Sequence, residues 1–227
     1  MHSSSFTGII MSRRNRKNIA GGSKVRNLNL LETMRVQNGE LQNVHFHNHR
    51  FNNARLTLFG IQQKSDLKQE ISIPGNLANG KYKCRLVYSD VIQKVEFEVY
   101  RPKRIESIKL VESNAIAYEF KYEDRSKINE LYENRGDFDD VLIIKNGHVT
   151  DTSYANIVFY DGLEWVTSIR PLLNGTCRKR LISENKIVEK EIRVGDLKKF
   201  QKARIINAMM DLNDSPDILM ESISWNH

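Results

Sequence analysis

Apolar and polar residues alternate over several short stretches of this chain, the period of strands that bury one face. Residues 30–36, Leu-Leu-Glu-Thr-Met-Arg-Val, predict a strand, Gln37-Asn38-Gly39 a turn, and residues 41–46 a return strand. Over residues 48–59 the spacing changes: Phe51, Ala54, Leu58 and Phe59 recur at helical intervals and Gly60 closes the segment. A short helix fits residues 66–70, and Ile73-Pro74-Gly75 breaks the chain. Tyr82, Cys84, Leu86 and Tyr88, then Val95, Phe97 and Val99, alternate with charged residues on either side of Ser89-Asp90, which predicts a hairpin with one buried face.

Beyond Arg101-Pro102-Lys103, which reads as a linker, the β-rich theme returns. Residues 141–144 and 148–151 flank an Asn146-Gly147 turn, and residues 157–160 and 163–167 flank Asp161-Gly162. Helices fit residues 124–135, ended by Gly136, and residues 176–184 and 196–202. The pattern is that of an α+β protein in two lobes: residues 27–103, a small N-terminal α/β lobe, and residues 104–227, a larger β-rich lobe. No repeats are evident.

Composition narrows the class. The 227 residues are 40% hydrophobic and 28% charged, a globular balance, and no apolar run approaches the roughly 20 residues of a membrane span. Two cysteines, Cys84 and Cys177, cannot build a disulfide framework, and no zinc-ligand spacing occurs, so no metal is expected and a reducing, cytoplasmic setting fits. The formal charge of +7 suggests an anionic partner until it is located. Arg13, Arg14, Arg16, Lys17, Lys24 and Arg26 all precede the first acid, Glu32, and without them 29 bases face 28 acids. The near-neutral body lacks the spread basic patches of a nucleic-acid module. Residues 1–26 read as a disordered basic extension; an organellar leader or a nucleic-acid arm shares that composition.

Three places can carry chemistry. Asn174-Gly175-Thr176-Cys177-Arg178 opens a helix, where exposed N–H groups, a glycine and a hydroxyl make an anion site or merely a helix start. Asp151-Thr152-Ser153-Tyr154-Ala155-Asn156 joins two apolar strands and is either a turn or the polar floor of a pocket. Lys121, between Phe120 and Tyr122, is either a snorkelling surface lysine or a desolvated, reactive amine. His47 and His49, at the start of the first helix, read as structural. No Ser-His-Asp or Cys-His order, phosphate-binding P-loop or GxGxxG occurs.

Taken with LLETMRV, Asn38-Gly39 and His47-x-x-Arg50-Phe51, these places resemble the fold-type IV pyridoxal-phosphate enzymes, which include the class IV aminotransferases and aminodeoxychorismate lyase. Lys121 with Arg125, DDVLIIKNGHVTD with Asn156, Gly175-Thr176-Cys177-Arg178, Glu191-Ile192 and Asn207-Ala208 follow in the family's order, so the likeness spans residues 30–210. The resemblance implies a two-lobed homodimer with the site between its lobes and pyridoxal 5′-phosphate as cofactor. By it, Lys121 holds the cofactor as a Schiff base and shuttles the substrate proton, and Asp151 pairs with the ring nitrogen. Arg50 clamps the phosphate with the helix start at Thr176 and Cys177 and the turn at Asn207-Ala208, and Asn156 joins the cofactor-binding set.

The chain departs from the family pattern in four ways. Asp151 stands where Glu is usual and Cys177 where Thr is usual. The strands and Gly-Asp-Gly turn that normally precede the ETMR-like strand have no counterpart, and few residues follow Asn207. Leu31 occupies the place where D-amino-acid aminotransferases carry Tyr, so the resemblance implies the lyase, which converts 4-amino-4-deoxychorismate to 4-aminobenzoate and pyruvate. The alternatives are a branched-chain or D-amino-acid aminotransferase working on another small amino-group substrate, and a cofactor-free member of the fold.

Overall fold

A computed structural model describes residues 28–226, so the extension expected at residues 1–26 lies outside the described residues. The described chain mixes helix and sheet, as an α+β fold requires, and forms two compact units. One comprises the described residues up to Tyr100 with Phe120–Asp124; the other comprises Arg101–Glu119 and the residues from Arg125 onward. A single cut near residue 103 therefore does not separate them, and Lys121, expected in the later lobe, belongs to the first unit.

The first unit contains β1 (Leu30–Gln37), β2 (Glu40–Leu41), α1 (Val44–Phe59), α2 (Leu67–Glu70), β3 (Lys81–Tyr88) and β4 (Ile92–Val99). Its antiparallel sheet runs β2-β1-β3-β4, with Leu30 opposite Tyr88 and Gln37 opposite Lys81. Leu30, Met34 and Val36 meet Cys84, Leu86, Val95 and Phe97 and the helical Phe51 and Ala54 in one core. These are the positions that the period-two and helical spacings place on inner faces. Phe120 and Tyr122 pack on the same core. Beside them, Leu31 N donates to Lys121 O at 2.8 Å and Glu123 N to Asn29 O at 2.8 Å, which covers the stretch of the β1 edge that two-residue β2 is too short to reach.

The expected return strand at 41–46 gives way to helix. Asn43 adopts a left-handed conformation, φ 54°, which turns the chain from β2 directly into α1, four residues before the expected start. Gly60, φ 70°, ends the helix with its N–H on the carbonyls of Arg55 and Leu56. Asp66 caps α2 through Lys68 N, and the Asn48 side chain ties α1 to it by bonds to Asp66 and Leu67 N.

The second unit contains β5 (Ile108–Glu112), α3 (Ser126–Glu133), β6 (Asp140–Lys145), β7 (His148–Thr152), β8 (Asn156–Tyr160), β9 (Trp165–Ser168), α4 (Thr176–Ser183), β10 (Val188–Lys190), β11 (Lys202–Ile206), β12 (Ile218–Leu219) and β13 (Ile223–Ser224). The sheet runs β10-β9-β8-β7-β6-β5-β13, with β11 paired to both β8 and β12. Pairing is parallel at β5–β6, β9–β10 and β5–β13 and antiparallel elsewhere. Ile108, Leu142, Ile144, Val149, Ile157, Phe159, Val166, Ala203 and Ile205 fill its main core. The helix expected at 196–202 is instead a 3-10 stretch, Val194–Lys199, followed by β11. Phe200 is extended and stacks on Phe159, and Ala203 and Ile205 then alternate inward, so strand packing prevails over a run of good helix formers.

Candidate functional site

In the first unit the polar cluster starts from Glu32. It shares the inward face of β1 with Leu30, Met34 and Val36, and it is 0% exposed. Its partners lie one turn apart on α1. Arg50 Nε donates to Oε1 at 2.7 Å and Nη2 to Oε2 at 2.7 Å, a bidentate fork. His47, 1% exposed, places Nδ1 2.6 Å from Oε2. Burial acts to push the Glu32 carboxyl up, but the charge and hydrogen bonds of Arg50, joined by His47, hold it down at about 2. Burial pushes the His47 imidazole below its usual value despite the carboxylate beside it, with the charges of Arg50 and Lys121 adding to that. His47 is thus neutral, and since a carboxylate only accepts, Nδ1 carries the proton.

Lys121 is held close to this cluster by its backbone. Its carbonyl accepts from Leu31 N, the residue before Glu32, and Leu30 and Tyr122 form a bridge. Tyr122 N donates to Phe120 O at 2.9 Å, closing a three-residue turn with Lys121 at its centre. The flanking rings, 6.1 Å apart edge to face, are the anchors, and the lysine between them is half-buried.

In the second unit, Asp151 on β7 and Asn156 on β8 face each other in register. Asn156 Nδ2 donates to Asp151 Oδ1 at 2.7 Å and to Leu173 O at 2.9 Å, while Leu173 N donates to Asp151 Oδ2 at 2.9 Å. Burial pushes the Asp151 carboxyl up to about 6, against the lowering effect of Leu173 N, Asn156 and the charge of Arg178. Arg125 anchors the link between the strands through the Ser153 carbonyl. Ile206 pairs with Asn156, so the turn at Asn207-Ala208 emerges beside the same strand end. Asn207 Oδ1 closes that turn by accepting from Met209 N at 2.8 Å and Met210 N at 3.1 Å.

The loop from Leu173 leads into α4. Its N-cap, Gly175, is extended and supplies no capping side chain to the helix start at Thr176 and Cys177, both buried. A Cβ on Gly175 would stand 2.1 Å from Asn156 Oδ1, so only glycine fits beside that amide. Cys177 Sγ lies 3.9 Å from Arg180 Nη2. Arg178 is fully buried and locks α4 through Ser168 O at 2.7 Å and Glu189 at 2.5 Å. Gly175→Ala is expected to displace the Asn156 amide and break its bond to Asp151. The expected loss is about 2 kcal/mol, or about 5 °C in melting temperature; an unchanged melting curve would mean the approach is looser than 2.1 Å.

The structure thus gathers Asp151, Asn156, Thr176, Cys177, Asn207 and Ala208 in the second unit, and Arg50 and Lys121 in the first. Sequence reasoning did not single out Glu32 or assign His47 a polar partner. The signal available was positional: Val44, His47, Phe51, Ala54 and Leu58 fall at helical intervals, which puts a histidine on the inner face of α1. The donor set suits pyridoxal phosphate. In the second unit, the buried Asp151 carboxylate is of the kind a protonated ring nitrogen needs, and the start of α4 is of the kind that meets a phosphate; in the first unit, Lys121 is an amine of the kind that meets an aldehyde and Arg50 a guanidinium of the kind that meets a phosphate.

The amino-transferase class IV family matches residues 124–213, a span that includes Asp151, Asn156, Thr176, Cys177, Asn207 and Ala208. A Haemophilus influenzae protein described only as uncharacterized is 37% identical over 185 residues, 81% of this chain and 98% of its own. A solved structure from Haemophilus somnus 129PT, named a "putative 4-amino-4-deoxychorismate lyase", is 30% identical with a TM-score of 0.75, covering 82% of this chain and 98% of that one. A hypothetical aminotransferase of Mycobacterium tuberculosis in its PLP-bound form shares the fold at 16% identity, with a TM-score of 0.69 over 86% of this chain and 81% of that one.

Proposed function

Because the chain belongs to the class IV aminotransferase family of pyridoxal-phosphate-dependent enzymes, we propose that it is a lyase converting 4-amino-4-deoxychorismate to 4-aminobenzoate and pyruvate. The observation that carries this choice is the likeness to the Haemophilus somnus structure of that name, which extends over 98% of that chain. Leu31, buried beside Glu32, agrees with it, since it offers no hydroxyl to a substrate carboxylate.

In this reading pyridoxal phosphate, held through Lys121, supplies an electron sink for the pair left by a broken C–H bond. Lys121 Nζ would take the proton from the carbon bearing the substrate amine. The neighbouring C–O bond then breaks, the ring becomes aromatic, and Lys121 delivers the proton to the departing enolpyruvate to give pyruvate. Asp151, oriented by Asn156 and Leu173 N, would be the carboxylate that keeps the ring nitrogen protonated. By the resemblance, the phosphate ligands would be Arg50 of the first unit and, from the second, the helix start at Thr176 and Cys177 and the Asn207-Ala208 turn; with a thiol in place of the usual hydroxyl, the backbone N–H groups would carry more of that contact. The same reading makes the protein a homodimer, which light scattering checks. No helix among the described residues is long and apolar enough to cross a membrane.

The direct test supplies 4-amino-4-deoxychorismate to the cofactor-loaded protein and follows pyruvate. Release of pyruvate with 4-aminobenzoate is expected. Amino-group transfer to 2-oxoglutarate without pyruvate would establish the aminotransferase instead, the reading favoured by the family's name.

Asp151 adds a pH signature. Its folded value, about 6, lies above its ordinary 3.8, so between these limits the cofactor-free fold binds more protons than the unfolded chain. Asp151 therefore lowers the stability of the cofactor-free protein as pH rises through that window, by roughly 3 kcal/mol in full. Asp151→Asn should remove this component of the pH dependence. Cofactor affinity should run the other way, falling below about pH 6 as the carboxylate is protonated; a titration by absorbance at pH 5 and pH 8 checks it.

A further inference from the structure

The chemistry assigned above leaves two buried groups unused, Glu32 and His47. We propose that His47 is a positioning residue for phosphate recognition: through Glu32 it fixes the direction in which Arg50 presents its guanidinium. This rests on the reading of Arg50 as a phosphate ligand.

Arg50 meets Glu32 by two parallel bonds of 2.7 Å, from Nε and Nη2, and such a fork closes only when the carboxylate lies in the guanidinium plane. The terminal torsion of a glutamate is soft, so the fork does not itself settle that plane. The third contact does. His47 Nδ1 reaches Oε2 at 2.6 Å from a different direction, and both side chains are shut off from solvent that could substitute for it. His47 and Arg50 sit three residues apart on one face of α1, so the helix that carries the cation also carries the group that orients its counterion. With Nε and one Nη2 hydrogen committed to Glu32, the remaining N–H bonds point away from the carboxylate in a direction set by its plane. A neutral imidazole suits this role, because a charged one would compete with Arg50 for the same carboxylate charge.

A purely structural histidine would support the fold and every ligand equally; a positioning histidine affects only the ligand part that Arg50 touches. The test compares binding of pyridoxal phosphate and of pyridoxal, which lacks the phosphate, to the full-length cofactor-free protein by absorbance. Wild type should prefer the phosphorylated form strongly. His47→Leu should reduce that preference by about tenfold, the weight of one charge-assisted hydrogen bond, with pyridoxal affinity unchanged. His47→Asn, whose amide can place an N–H where Nδ1 stands, should restore most of it, and His47→Gln should restore less. In an Arg50→Ala background none of the three should alter the ratio further. If His47→Leu does not fold, the Asn-against-Gln comparison and the Arg50→Ala background decide. An unchanged ratio, a parallel loss of both affinities, or equal behaviour of Asn and Gln overturns the proposal while leaving Arg50 as phosphate ligand. If wild type binds both forms equally, the reading of Arg50 fails and this inference falls with it.

Discussion

Lys121→Ala should yield a folded, colourless protein with no measurable turnover. The expected loss is at least about 1,000-fold, because in the proposed function one amine would serve both as the covalent attachment point and as the proton carrier. Folding should survive, since the segment is anchored by groups that alanine keeps: the residue-121 carbonyl on Leu31 N, and Phe120 and Tyr122 on the core. Absorption spectra with added pyridoxal phosphate, beside pyruvate release, check this. A Lys121→Ala protein that keeps a visible cofactor band and its activity would remove Lys121 from the chemistry.

Removing Glu32 should have the largest effect on stability. Glu32→Leu leaves Arg50, whose side chain is 16% exposed, and the Nδ1–H of buried His47 facing an apolar group. Truncating one partner of a buried pair costs about 3–5 kcal/mol, here on the order of 10 °C in melting temperature. Glu32→Gln, which keeps the shape and one acceptor oxygen, should lose less. The sign of the pH dependence follows from the folded value of about 2 against the ordinary 4.5. The stabilisation is complete above 4.5 and fades as pH falls toward 2, so the gap between wild type and Glu32→Gln should narrow on acidification across that range. A constant gap would show that packing rather than ionisation sets the effect.

How much of this was legible in the sequence depended on the range over which each feature is determined. The hairpin of β3 and β4, and the strands on either side of Asn146-Gly147, follow from alternation and turn chemistry within a dozen residues, and they were readable. The start of α1 was not, because Leu41, Val44 and Phe46 suit a strand as well as a helix and the outcome turns on one left-handed asparagine, Asn43. The stretch after Val194 favours helix locally, and only the pairing of β11 with β8 overrides it. Asp151, Asn156 and the Gly175 loop were visible through a motif. The Glu32–His47–Arg50 cluster was not, since inner-face positions are read as apolar and a buried ion pair violates that expectation.

The return of Phe120–Asp124 to the first unit bears on how the protein can be divided and assembled. A fragment ending at Tyr100 would lack the backbone groups that close the edge beside Leu30 and Leu31 and the two rings that complete the core there. It should therefore be a poor autonomous folder, prone to pair its open edge with other chains. During synthesis the first unit must wait for about twenty more residues before its last pieces emerge. Lys121 lies in those pieces, so the amine is carried by the last segment of the first unit to be synthesised.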